Sequence, residues 1–172
     1  MAIDLNQIIL RMSANTRVVA ALLDDVTAEQ AHWKPDDASW SLLEVICHLG
    51  DEEREDFRTR VDVTLHQPDT PWPPIDPTGW VTSRKYAERD LAASLQAWLA
   101  ERDTSLAWLC SLANPDWHTS RPRPRGGTIS AGDVMAAWLA HDFLHIRQMN
   151  ELHYAWHKLQ SQSFGVDYAG DW

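Results

Sequence analysis

The stretch AHDFLHIRQMNELHYAWH, residues 140–157, decides how this chain is read, because it places four of the eight histidines in one segment. They stand at 141, 145, 153 and 157, in two pairs with the i, i+4 spacing of a helix. Counting about 100° per residue from Trp138, Val134, Leu152, Trp156 and Leu159 fall within about 60° and define a buried stripe. His145 lies about 20° from Trp138 and His141 about 60°, so both face inward. His153 sits about 60° to the other side and His157 about 100°, toward solvent or another contact.

Two histidines four residues apart have Cβ atoms roughly 5–6 Å apart, so both rings reach one metal ion at about 2.0–2.1 Å. A buried pair without a metal needs two sets of hydrogen-bond partners and repels itself when protonated.

Three further helices follow from the same periodicity. Residues 4–24 carry Leu5, Ile8, Ile9, Met12, Val19, Leu22 and Leu23 at helical spacing. Thr27 caps a short turn, with Gln30 three residues later and Pro35 as its stop. A second long helix starts after Ser39 or Ser41 and runs through LLEVICHLGDEEREDFRTRVDVTL, weakened by Gly50. Residues 67–79 hold five of the nine prolines and are expected to be a long loop. A third helix is expected over 81–112, then a Pro/Gly/Arg-rich connection over 114–129. Thr128 or Ser130 caps the fourth helix, with Asp133 on its positive end. Nothing alternates with a period of two, so no sheet is expected. The tail SFGVDYAGDW is expected to fold back over the bundle. The fold class is all-α: a single-domain four-helix bundle over 1–172 with long crossover connections.

On the second helix Leu42, Val45, Ile46 and Leu49 form the apolar arc. His48 sits about 60° from Val45 and Glu52 about 20°. A histidine at the edge of one helix facing HxxxH on another makes a three-histidine site with open positions, the layout of a catalytic metal centre. The metal ligands read in this way are His48, His141 and His145. Glu52 is the candidate catalytic carboxylate, orienting a ligand or moving a proton. Gln148 lies on the buried side, Asp142 points about 100° away from His141, and Trp40 and Trp138 wall the pocket or fill the core. His32, His66 and His118 lie at turn or loop edges. Cys47 points about 100° away from His48, and neither it nor Cys110 has the helix-start position that activates a thiol.

Composition narrows the partners. The chain has 172 residues, 44% hydrophobic and 23% charged, with a net charge of -10. An acidic surface repels phosphate backbones and anionic lipid headgroups, so neither nucleic acid nor membrane is an expected partner. RPRPR at 121–125 is the local exception and reads as a solvated, proline-stiffened loop. Two separated cysteines and the lack of a hydrophobic leader or span point to a reduced, cytoplasmic protein. Ten tryptophans suit a bundle core and a walled pocket.

WSLLEVICHLGDEERED (40–56), preceded by TAEQAHWKPDDAS and followed by AHDFLHIRQM (140–149), resembles the DinB-like superfamily of metal-binding four-helix bundles. The resemblance places that family's metal triad on His48, His141 and His145. It implies a bound divalent ion, zinc or nickel first. It also implies activities such as S-transfer with bacillithiol or another low-molecular-weight thiol, or a mycothiol-dependent maleylpyruvate isomerisation. The expected function is therefore a metal-dependent, thiol-using transferase acting on a small electrophilic substrate. The alternatives are a metal-dependent hydrolase and a non-catalytic metal-binding stress-response protein, in either case as a possible homodimer.

Overall fold

In the computed structural model, which describes residues 4–123 and 126–170, four long helical segments form the bundle. The first, α1, spans Leu5–Leu23, and Asp4 caps it by accepting from the Gln7 amide. The second runs from Leu42 to His66 as α3 (Leu42–Asp51), a π-helical stretch (Glu52–Arg58) and α4 (Thr59–His66). The third, α6, spans Leu91–Ser111, and the fourth, α7, Ala131–Ser161. Between α1 and α3 lies the short α2, Ala28–His32, capped by Thr27 as its sequence signals. Of the two candidate caps given for the second helix and for the fourth, Ser41 and Ser130 close reciprocal capping boxes with Glu44 and Asp133.

The helices close into a ring: α1 packs on α6 and α7, α6 also packs on α3, and α7 also packs on α4. The first and second helices thus lie across the diagonal, as do the third and fourth. The second and fourth become neighbours, which is what sets His48 opposite His141 and His145.

The core divides into two apolar clusters. One gathers Val19, Leu42, Leu43, Ile46, Trp98, Met149 and Leu152. The other gathers Met12, Phe57, Val61, Leu109, Met135 and Trp138. On α7 the histidines at 141 and 145 fall between Trp138 of one cluster and Met149 of the other. Other buried polar groups belong to this zone: Asn15, His48, Glu52, Glu53, Asp56, Arg102 and Asp142.

The π-helical stretch matters for this zone. At 100° per residue an uninterrupted helix would set Val61 about 160° from Val45, on the wrong side for the core. Val61 is nonetheless fully buried, because the wider turn shifts the phase by about one residue. Gly50 packs its open side against Trp98.

Several expectations need correction. The third helix does not begin at 81. A short helix, α5, spans Pro77–Ser83, within and beyond the segment read as loop. Asp76 caps it, and Pro77 takes a first-turn position where its missing N–H costs nothing. The chain then breaks at Lys85, whose φ of 53° is left-handed, and α6 restarts behind Asp90. The connection before α7 contains a small antiparallel hairpin, β1 (Ser120–Pro122) with β2 (Thr128–Ser130). Each strand has three residues, too short for alternation to register in sequence. Leu159, assigned to the buried stripe, is exposed near the end of α7. In the tail, Phe164 and Tyr168 are exposed instead of covering the bundle; Asp171 and Trp172 lie outside the described residues. Arg121 of RPRPR is buried, not solvated, while Pro124 and Arg125 lie outside the described residues.

Candidate metal centre

His48, buried in the last turn of α3, directs its ring at α7, where His141 and His145 stand one turn apart. The Nε2 atoms of His48 and His141 are 3.3 Å apart and those of His145 and His141 are 3.0 Å apart. One ring nitrogen from each histidine lies within 4.8 Å of the others. The three histidines that helical phase turns inward, His48, His141 and His145, are thus brought together by the fold.

The protons decide what this cluster is suited to. The Nδ1 of His145 lies 2.7 Å from Oε1 of Gln148. A carbonyl oxygen only accepts, so Nδ1 carries the hydrogen and the lone pair of Nε2 faces the other two rings. Burial, and then the neighbouring histidines, hold His48 down to about 3 and His141 down to about 2. Burial also lowers His145. All three rings are therefore neutral near pH 7, the form that binds a metal. Neutral nitrogens converging at 3.0–3.3 Å without enough protons to bridge them form a group that could hold a cation.

Glu52 opens the π-helical stretch one turn beyond His48, with Oε2 at 4.0 Å from the Nε2 of His141. With the histidine neutral this is a close approach, not an ion pair. Burial, followed by the nearby Asp56 carboxylate, raises Glu52 to about 8. Its Oε1 is buried without a hydrogen-bond partner. A buried carboxyl group at the rim of three neutral imidazoles is poised to exchange a proton near neutral pH. The aromatic surround is Trp40, whose ring centroid is 4.8 Å from that of His48, and Phe57, 4.9 Å from His141.

Behind the histidines stands a buried ionic group that the sequence reading passed over. Arg102 of α6 donates to both oxygens of Asp142, at 2.8 and 2.7 Å, and to Oε2 of Glu53 at 2.8 Å. Trp138 adds its indole N–H to Glu53, and Asn15 its amide to Asp142. Glu53 adjoins Glu52 and Asp142 adjoins His141, so Arg102 clamps the two site-bearing helices together from the third. The available signal was a charge on an apolar stripe, four residues after Trp98 and four before Leu106. Asp142 is thus a buried carboxylate beside the site.

The remaining candidates lie elsewhere. His153 bonds to the Leu22 carbonyl and to Gln30, and His157 is exposed. His32, His66 and His118 are exposed. Cys47 hydrogen-bonds to Ser94, and burial pushes its thiol above the usual range. Both cysteines are free.

The class is thus a four-helix bundle with three inward histidines, shared between its second and fourth helices, that could hold a metal ion. More particularly, the chain belongs to the DinB superfamily, whose family model matches residues 11–149. Its fold is similar to that of YfiT from Bacillus subtilis, described as a probable metal-dependent hydrolase with an unusual four-helix bundle topology. That likeness has a TM-score of 0.76 at 18% identity, covering 86% of this chain and 85% of YfiT. No curated protein matches significantly. Among the described residues no helix is long and apolar enough to cross a membrane.

Proposed function

We propose that the protein is a metal-dependent enzyme in which His48, His141 and His145 hold a divalent ion, zinc or nickel, through Nε2. Glu52 takes or returns the proton of a small nucleophile. The observation that carries this reading is the convergence of three neutral imidazoles, one ring nitrogen of each within 4.8 Å of the others, beside a carboxyl group raised to about 8. A divalent ion bound there supplies Lewis acidity that makes a water or thiol proton labile near neutral pH. Gln148 fixes the ring of His145, Glu52 holds the mobile proton, and Trp40 and Phe57 restrict water around the rings.

Transfer of a low-molecular-weight thiol to a small electrophile is the favoured reaction. A cavity of about 600 Å³ lined by Trp40, Ser39, Gln148 and Tyr154 borders the partners of His145, room for a co-substrate far larger than water. Neither cysteine of the chain sits at the centre, so the thiol arrives as a substrate. Hydrolysis is the second reading, favoured by the description of YfiT.

The test begins with elemental analysis of purified wild type and His145→Ala. Stoichiometric metal in the first and none in the second is expected; metal retained by the variant overturns the ligand set. Metal-loaded protein is then assayed for conjugation of a model electrophile with several small thiols, and for ester and amide hydrolysis. Glu52→Gln should keep the metal and lose about 10²–10⁴-fold in rate. A metal that raises the melting temperature by mass action without turnover in any assay would leave a purely structural ion.

A further inference from the structure

The two long connections meet on the other side of the π-helical stretch. The proline-rich loop after α4 supplies Trp72 and Pro74, the hairpin supplies Arg123 and Ile129, and α4 supplies Arg60, together lining an open cavity of about 810 Å³. Arg121 pairs with Ile129 across the hairpin, so its side chain shares the face that carries Ile129, as does that of Arg123 two residues on. The guanidiniums of Arg60 and Arg121 both lie over the Trp72 ring, at 4.6 and 4.8 Å from its centroid. Trp72 is held in place by an indole N–H donated to Thr64 at 3.1 Å.

Two arginines thus share one tryptophan and a third, Arg123, lines the same cavity; their charges are incompletely matched, Arg123 acting on Asp133 only at a distance. Arg60 has Asp56, with Nε 2.7 Å from Oδ1, an ion pair without a well-aligned hydrogen bond. Among the described residues, neither Arg121 nor Arg123 has a carboxylate within ion-pairing distance. Arg121 is only 9% exposed, and its buried Nη1 has no hydrogen-bond partner. Burying a cation without a counter-charge is unfavourable, and a chain with 25 acidic against 15 basic side chains has no shortage of carboxylates to offer. Arg60 and Arg123 line the cavity, and Arg121 lies over the Trp72 ring that walls it, so positive charge without a full set of carboxylates gathers there, and planar guanidiniums favour an anion with a forked acceptor.

We infer that the cavity lined by Arg60, Arg123 and Trp72, with Arg121 adding its charge from the Trp72 ring, binds the carboxylate or phosphate of a small molecule. Its link to the histidine centre runs through side chains: Arg60 pairs with Asp56, Asp56 neighbours Glu52, and Glu52 faces His141. The assignment of that small molecule as the enzyme's own substrate or co-substrate rests on the function proposed above; the binding site itself does not.

The test is calorimetric titration of the full chain, stripped with a chelator, with inorganic phosphate and separately with succinate at low ionic strength. Removing metal first means that neither anion can be taken up by an ion at the histidines. Saturable one-to-one binding of either anion is expected, weakened at least tenfold by Arg121→Gln combined with Arg123→Gln. Arg123→Gln alone, at an exposed position, should weaken binding severalfold with an unchanged thermal melt, which separates lost binding from lost folding. Phosphate alone binding identifies a phosphorylated ligand, and succinate alone a carboxylate. No saturable binding of either anion, or binding indifferent to both substitutions, overturns the inference. Elemental analysis before stripping reports on the histidine centre separately, so either assignment can fail without the other.

Discussion

The side-chain oxygen of Gln148 accepts from the Nδ1–H of His145 at 2.7 Å, and this one bond selects the tautomer that leaves Nε2 free. Partners of this kind behind a metal-ligating histidine typically contribute 10–100-fold in metal affinity. Gln148→Leu should therefore weaken metal binding by about that factor while the protein still folds, as read by competition with a chromophoric chelator. Unchanged affinity would show that the ring needs no such orienting partner.

Arg102 is fully buried between two carboxylates. Arg102→Met would leave Glu53 and Asp142 facing each other without a counter-charge, and breaking a buried ionic group in this way costs about 3–5 kcal/mol. Urea unfolding should show that loss. The triple variant Arg102→Met, Glu53→Gln, Asp142→Asn should recover a substantial part of it, because no buried charge is then stranded. A single variant as stable as wild type would refute the clamp.

Hydrogen bonds from Arg84 hold Glu55 down to about 2. A carboxylate lowered in the folded state adds stability that is complete above its unfolded value near 4.5, and that is lost as pH falls through about 2. Thermal melts between pH 6 and pH 2 should thus fall less steeply for Glu55→Gln than for wild type. Parallel curves would mean that the pair does not contribute.

Gly50 has helical backbone, and a methyl group there would meet Trp98 at 3.8 Å, ordinary contact distance. Gly50→Ala should stabilise the protein by about 0.5–1 kcal/mol through helix propensity, measured by chemical denaturation. Destabilisation would show that the Trp98 contact is tighter than its distance implies.

Much of the site was legible because it obeys local arithmetic. His141 and His145 share a face through their spacing, and Val45, Leu49 and the serine cap orient His48 before the helix changes, with Glu52 at the first position of the π-helical stretch. Beyond Glu52 the arithmetic fails: the π-helical stretch rotates Val61 inward, and no residue pattern announces it. Arg121 looked like part of a solvated loop because its burial depends on Trp72, almost fifty residues earlier in the chain. The split of the expected third helix at Lys85 was hidden for a similar reason, since the apolar residues of α5 and α6 form one plausible stripe when read in a line.

What the sequence determined by itself was the helical periodicity, the caps, and which histidines turn toward the interior. These are set by interactions within a few residues. The diagonal arrangement of the helices, the Arg102 clamp and the meeting of Arg60 and Arg121 on Trp72 were decided only by tertiary structure. Each depends on which segments become neighbours, and the energy of a buried charge is fixed by those neighbours and not by its place in the chain.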